Sequence, residues 1–229
     1  MAEYQLKTGK IGQKVVDGYK KVEEKFTDTF LEKDESSPSG YTLKTVYEVF
    51  RMVCIGIYGD KTDGFTKQLL KRYFDAGISA AACTHGDCDM AYIVASAMGK
   101  DVFITNRCLW TDIKFDICVF FSWQESRNIS IKKNGYAVIN ADSCKNVPLS
   151  PGVTRVTCGI NSHAGVTVSA VSDNIDGEEK LQCCIQHKIR TMSGRIIEPQ
   201  EFAVVVRGIN YPLSEVLSLI TTAIAGDIE

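Results

Sequence analysis

The sequence has no long hydrophobic run and no excess of positive charge. No apolar stretch approaches the roughly 18 residues that a membrane-spanning helix needs, so we expect no membrane partner. The 26 basic and 28 acidic residues are interspersed and give a formal net charge of -2, which argues against a nucleic-acid-binding surface. Residues 1–7 contain no apolar signal core, so we expect a protein that is not secreted.

Cysteine, in contrast, is frequent and odd in number, with nine residues in a chain of 229. Cys118 and Cys158 lie within apolar, strand-like stretches, where a free thiol behaves as a small hydrophobic side chain. A disulfide scaffold is typically a shorter chain with its cysteines in loops. The pattern therefore predicts reduced cysteines and a cytoplasmic location.

The N-terminal third of the chain shows helical periodicity. Residues 9–33 and about 43–57 place apolar side chains at steps of three and four, which predicts two amphipathic helices. Residues 65–75 predict a third helix. The stretch 34–40 is rich in turn-forming residues and predicts a linker.

From about Gly77 onward the pattern changes to one of strands. Strand-like and helical stretches alternate between residues 78 and 121, which favours a parallel sheet because β–α–β units join parallel strands. Asn134-Gly135 is a typical hairpin turn dipeptide, and strand then follows strand until a closing helix begins at Pro212.

These patterns predict an α/β protein with a helical N-terminal part, a β-α-β sheet core, a strand-rich C-terminal half and a closing helix. The predicted parts are an amphipathic helix with its linker at 1–40, a helical segment at 41–76 and an α/β core at 77–229. An isolated amphipathic helix is marginal in water. We therefore expect the helix at 9–33 either to dock on the following helices or to bind a protein partner or a second copy of the chain.

The densest group of reactive side chains is the stretch Cys83-Thr84-His85-Gly86-Asp87-Cys88-Asp89, between a predicted strand and a predicted helix. Loops that follow parallel strands are where α/β proteins bind ligands. A thiol at a helix N-terminus is acidified by the exposed backbone amides, which would make Cys88 a nucleophile with His85 as its base. Alternatively, His85, Asp87 and Asp89 bind a ligand or a divalent cation. The same residues are also typical of a helix cap beside a buried cysteine.

Two parts of the sequence resemble known families. Residues 1–34 resemble short helical proteins of unknown function in Firmicutes, which implies a bacterial protein but no activity. The stretches GYAVINAD at 135–142 and GVTRVTCGINSHAGVTVSAV at 152–171 resemble the end of the central domain of Mur-type ligases, which are ATP-dependent amide ligases. The second resemblance implies that residues 78–171 form the sheet of such a domain.

The resemblance also implies a role for the Asn-Ala-Asp turn. Asn140 and Asp142 would contact a ligand such as a nucleotide, although asparagine and aspartate are equally typical of a structural turn. His163, in the second stretch, is a further ligand-binding candidate or a distant base for Cys88.

One element of a Mur-type ligase is missing from the sequence. Such an enzyme needs a glycine-rich phosphate loop with Gly-Lys-Thr/Ser at a helix N-terminus. No such motif is present, and the loop after the first predicted sheet strand is residues 84–89, whose carboxylates would repel a triphosphate.

We therefore expect a non-catalytic, Mur-ligase-like module that binds a ligand or a partner, with no cofactor indicated. The alternatives are a cysteine- or metal-dependent hydrolase centred on residues 83–89 and a structural assembly protein.

Overall fold

The computed structural model describes residues 31–33, 41–43, 52–60, 62–109, 111–123, 129–144, 146–173, 178–207 and 212–227. The chain divides into one compact unit formed by residues 1–51 with 93–99, and a second formed by 52–92 with 100–229. None of the described helices has the length and apolar character that spanning a membrane requires.

In the first unit, β1 (Leu31–Lys33) pairs antiparallel with β2 (Tyr41–Leu43). The last three residues of the helix predicted over 9–33 are therefore a strand. The rest of that helix and the predicted linker at 34–40 lie outside the described residues.

The described residues that follow form three helices and eleven strands. In order they are β3 (Val53–Tyr58), α1 (Asp63–Asp75), β4 (Ala80–Cys83), α2 (Cys88–Ala97), β5 (Val102–Thr105), β6 (Phe115–Phe120), β7 (Ile131–Asn140), β8 (Thr154–Cys158), β9 (Val166–Asp173), β10 (Glu178–Ile185), β11 (Ile189–Arg190), β12 (Ile196–Ile197), β13 (Gln200–Arg207) and α3 (Leu213–Ala225).

Nine of these strands form one sheet, in the spatial order β13-β10-β9-β8-β7-β6-β3-β5-β4. The strands from β4 to β9 in this order are parallel, whereas β10 is antiparallel to both β9 and β13. The short strands β11 and β12 form a separate hairpin. The α/β class and the parallel sheet predicted from the sequence are thus confirmed.

The first two crossover connections of the sheet run in opposite directions. The connection from β3 through α1 to β4 runs in one direction along the sheet, and the connection from β4 through α2 to β5 runs back. Because such crossovers are right-handed, α1 and α2 begin on opposite faces. The main core lies on the face that α1 shares with α3, where Ile55, Ile117 and Leu217 are fully buried. Each such side chain contributes about 1.5–3 kcal/mol.

The structure corrects the prediction of a helix at about 43–57. Its C-terminal part is β3, which lies between β5 and β6 and is buried along nearly its whole length. A strand that is buried on both faces is apolar at every position and lacks the alternation of apolar and polar residues that marks a half-exposed strand. Its sequence therefore also fits the spacing of apolar residues on one face of a helix. Among the described residues of the segment 41–76, β2 and β3 are strands and α1 is a helix; residues 44–51 lie outside the described residues.

The Asn134-Gly135 pair is a second correction, since it lies inside β7 and is not a hairpin turn. The register of β7 against β6 shifts here, from Phe115 opposite Ile131 to Ile117 opposite Tyr136, which is a β-bulge. Asn134 has a positive φ of 67°. A β-carbon on Gly135 would lie 2.8 Å from the carbonyl oxygen of Asp116, so no other residue fits.

Candidate functional site

The connections at the carboxyl ends of the parallel strands diverge next to β3. The chain leaves β3 towards β4 on one side, whereas it leaves β6 towards β7 on the other. Such a switch point opens a crevice outside the carboxyl ends of the strands, and open α/β sheets bind their ligands there. The residues that line this end of β3, β4, β5 and β6 are therefore the candidate functional site.

The loop between β3 and α1 occupies the place of a phosphate loop. Together with the first turn of α1, it reads Gly59-Asp-Lys-Thr-Asp-Gly64 followed by Phe65 and Thr66. The two glycines have the spacing of the G-x-x-x-x-G-K-[ST] motif, but phenylalanine stands in the lysine position. This loop follows the first strand of the sheet, so the sequence interpretation that assigned residues 84–89 to that place is wrong.

Both residues after the second glycine are directed into the protein. Phe65 is buried, and its ring lies edge-on to that of Phe121 with 4.8 Å between centroids. The hydroxyl of Thr66 is fully buried and donates to the Thr62 carbonyl at 2.9 Å. Neither side chain is available to a phosphate. The signal that sequence reasoning missed was the glycine spacing directly after a Val/Ile-rich run.

Asp63, the first residue of α1, connects three loops. Its Oδ1 accepts a hydrogen bond from Nδ2 of Asn106 at 2.6 Å, and its Oδ2 lies 4.0 Å from Nε2 of His85. Nδ1 of His85 lies 2.8 Å from the Thr84 hydroxyl. A helix N-terminus favours a nearby negative charge. At the N-terminus of α1, the carboxylate of Asp63 provides that charge.

Two buried polar atoms beside this loop have no hydrogen-bond partner in the described part of the chain. They are Oδ1 of Asn106, just after β5, and Nε1 of Trp123, just after β6. The Trp123 ring lies 5.7 Å from the rings of both Tyr58 and Phe120. An unpaired buried polar atom costs about 1–3 kcal/mol, so an acceptor and a donor remain unsatisfied on either side of β3.

The thiol of Cys88 is buried and faces Thr105. Its thiol donates to the Thr105 hydroxyl at 3.3 Å, and that hydroxyl donates to the Cys83 carbonyl at 2.8 Å. Burial raises the pKa of Cys88 to about 11, which opposes the acidification expected at a helix N-terminus. The imidazole of His85 makes no hydrogen bond to this thiol.

The carboxylates next to Cys88 have separate structural partners. Oδ1 of Asp87 accepts the Met90 amide at 3.0 Å and so caps α2. Asp89 accepts a hydrogen bond from the Thr111 hydroxyl. Within the described residues no three His, Cys, Asp or Glu side chains are grouped to hold a metal ion.

The second group of predicted residues lies farther along the sheet, after β7 and β8. The Asn140 side chain is buried and accepts the amide of Asp142 at 3.0 Å. The Asp142 carboxylate accepts the Ile160 amide at 2.8 Å and both the backbone and side-chain N–H groups of Asn161 at 3.2 and 2.9 Å. These two residues fasten one loop to the next, and His163 is exposed beside them.

Sheet and crevice define an open α/β protein with its candidate site at the carboxyl ends of parallel strands. No protein-family model matches the sequence, and no curated protein matches it. The fold is nevertheless that of a Mur-ligase-like central domain.

The similarity is to solved structures at low sequence identity. The UDP-N-acetylmuramoylalanyl-D-glutamyl-2,6-diaminopimelate–D-alanyl-D-alanyl ligase of Acinetobacter baumannii is 8% identical with a TM-score of 0.51, over 76% of this chain and 43% of that one. The MurF ligase of Thermotoga maritima in complex with ADP is 11% identical with a TM-score of 0.45, over 99% and 52%. A bifunctional folylpolyglutamate synthase/dihydrofolate synthase of Yersinia pestis is 10% identical with a TM-score of 0.44, over 75% and 53%. The chain thus spans less than half of the Acinetobacter ligase.

Proposed function

We propose that this chain is a Mur-ligase-like module that binds a ligand or a protein partner at the carboxyl ends of its parallel strands without hydrolysing ATP. The observation that carries the proposal is the loop between β3 and α1. Asp63 stands at the start of the helix, and the buried Phe65 takes the position of the phosphate-binding lysine.

The charge at this edge supports the proposal. The segment after β3 and the start of α2 together carry four carboxylates against one lysine, Lys61, and an incoming triphosphate would meet this excess of negative charge. The four are Asp60, Asp63, Asp87 and Asp89. Two like charges 4 Å apart repel by about 1 kcal/mol in water and about 4 kcal/mol near a protein surface. A neutral or cationic ligand meets no such penalty.

The unsatisfied atoms indicate the chemistry of the ligand. Oδ1 of Asn106 can accept a hydrogen bond and Nε1 of Trp123 can donate one. A ligand that carries both a donor and an acceptor, such as one with an amide, matches the hydrogen-bonding chemistry of these two atoms. The aromatic rings of Tyr58 and Trp123 provide apolar surface beside it, as is usual in small-molecule sites.

Calorimetry with Mg-ATP tests the first part of the proposal. We expect no ATPase activity and no binding tighter than about millimolar, which is about 4 kcal/mol. Micromolar binding of Mg-ATP would contradict the proposal.

The indole N–H resonance of Trp123 tests the second part. The chain has two tryptophans, so a Trp110→Phe variant identifies the Trp123 signal. We expect N-methylacetamide to shift the Trp123 resonance in the wild type and to shift it less in Asn106→Leu. Equal shifts of the two indole resonances would show that the probe binds non-specifically and would contradict an amide site.

A further inference from the structure

A cavity of about 420 Å³ lies at the opposite end of the parallel strands, where β6 and β7 begin. The β11–β12 hairpin forms its other wall. Its lining is mostly polar and comprises Asp116, residues 132–136 and residues 190–194. Its volume falls within the usual range of small-molecule sites, about 300–1,000 Å³.

Three cationic side chains and one carboxylate line this cavity. Nζ of Lys132 lies 2.8 Å from Oδ2 of Asp116, and the same oxygen accepts the Cys54 amide at 2.8 Å. Asp116 and Lys132 therefore neutralise each other. Lys133 and Arg190 have no ion pair or hydrogen bond among the described side chains. Behind Ser193 of the lining, the Asp227 carboxylate is paired with Arg195 at 3.6 Å. Among the charged residues that line the cavity, positive charge therefore exceeds negative charge.

The backbone around these two cations is constrained. Lys133 directly precedes the bulge at Asn134-Gly135, and the Asn134 amide donates to the Gly152 carbonyl at 3.0 Å. A β-carbon on Gly152 would lie only 3.4 Å from Cγ of Lys133, so the lysine stem runs along this glycine. β-Bulges commonly redirect a side chain in this way beside binding sites.

The hairpin that carries Arg190 is also attached to the sheet. The Tyr136 hydroxyl is buried and donates to the Thr191 carbonyl at 2.9 Å, directly after Arg190. Burial raises the pKa of Tyr136, the positive charge of Arg190 acts against that rise, and the negative charge of Asp227 adds to it, so both charges act at the base of the cavity. Lys133 and Arg190 thus come from two separate elements that are fixed to each other.

We propose that this cavity binds a small molecule through a phosphate group, with Lys133 and Arg190 as its ligands. Arginine matches phosphate oxygens in a two-pronged geometry and lysine acts as a point charge. The site lies at the end of the strands opposite the crevice of the proposed function and does not depend on it.

Titration with inorganic phosphate, followed by backbone amide NMR of the whole chain, tests the proposal. We expect saturable shifts at residues 133–135 and 190–194, and about tenfold weaker binding in Lys133→Ala and in Arg190→Gln. Lys188→Ala is the matched control, because Lys188 lies on the same hairpin region but pairs with Glu198 at 2.9 Å and does not line the cavity. Its affinity for phosphate should be unchanged.

Two results would overturn the site. One is a non-saturable response to phosphate into the tens of millimolar. The other is equal weakening in Lys133→Ala and Lys188→Ala, which would show only general charge attraction. Citrate serves as a second probe, and tighter binding of citrate than of phosphate would overturn the assignment to phosphate. Amide spectra of each variant confirm that the fold is intact before affinities are compared.

Discussion

The two ends of the parallel strands differ in charge and in the way their charged groups are used. At the carboxyl end, Asp63, Asp87 and Asp142 each accept hydrogen bonds from neighbouring groups of the protein. At the amino end, Lys133 and Arg190 line a cavity and have no such partners in the part of the chain that the structure describes. The same strands carry both ends. The sheet therefore fixes where the loops lie, whereas the residues next to the strand ends determine which ligands each end can bind. This is why a fold alone does not identify a function.

The largest effect that we predict is at the amino end, in the bulge of β7. Gly135→Ala should destabilise the protein by about 3 kcal/mol, since the new β-carbon would lie 2.8–2.9 Å from two backbone oxygens and from the Ile131 side chain. Urea unfolding measures the change.

Gly86→Ala at the carboxyl end is the matched control for that substitution. Gly86 has a φ of +79° but nothing within 4 Å of an added β-carbon. Gly86→Ala should therefore lower the free energy of unfolding only by the backbone strain of alanine at a positive φ, about 1 kcal/mol. Equal costs at both positions would mean that the bulge is not tightly packed.

The next effect contrasts two aspartates at the carboxyl end. Asp142 accepts three hydrogen bonds from Ile160 and Asn161, so Asp142→Ala should cost about 1–2 kcal/mol, after allowance for the exposure of the carboxylate. Asp63 is half exposed and has one close hydrogen bond, and Asp63→Ala should cost less than about 0.5 kcal/mol. Thermal or urea unfolding of the two variants compares them. A larger loss for Asp63 would contradict a ligand-facing position for that residue.

Asp142 should also make stability depend on pH. Burial alone would raise the pKa of this carboxyl, but the hydrogen bonds from Ile160 and Asn161 lower it more, so the folded pKa lies below the ordinary value. The stabilisation is therefore present above the unfolded pKa of about 4 and is lost as the pH falls through the folded pKa.

Urea unfolding at pH 7 and pH 3 measures this dependence. The stability difference between the wild type and Asp142→Asn should shrink by roughly 1 kcal/mol at the lower pH. A difference that stays constant or grows would show that the carboxylate is not the stabilising form.

Sequence periodicity predicted the sheet well because alternating or continuous apolar runs reflect burial directly. It predicted the strand–helix alternation between residues 78 and 121, where the structure has β4, α2, β5 and β6. It failed at β3, whose apolar run fits both a helix and a strand, because only its pairing with β5 and β6 distinguishes the two. Because residues 53–57 were interpreted as a helix, the segment 59–64 was not recognised as part of the site. A phosphate loop is expected there only when a strand precedes it.

The chemistry of the individual site residues was less predictable. His85, Asp87, Cys88 and Asp89 are adjacent in sequence, but the start of α2 sends their side chains in different directions. His85 faces Asp63, whereas Cys88 faces Thr105 inside the protein. Asn106 and Trp123 had no sequence signal, because their significance depends on buried atoms that lack partners. Hydrogen-bond satisfaction is a property of the folded structure and leaves no periodicity.

The smallest effect, a difference in labelling rate with no change in stability, concerns the cysteines. Eight of the nine are buried, and Cys184 alone is partly exposed. Because the thiolate is the reactive form and the pKa of Cys88 is raised to about 11 by burial, Cys88 should alkylate slowly at neutral pH. Mass spectrometry after brief alkylation of the native protein should find Cys184 modified first, whereas the unfolded protein should label at all nine sites. The acidified thiol that the sequence predicted at the α2 N-terminus would instead label before Cys184. Labelling of Cys88 before Cys184 would support Cys88 as a nucleophile. It would then favour a catalytic function over ligand binding at the carboxyl ends of the strands.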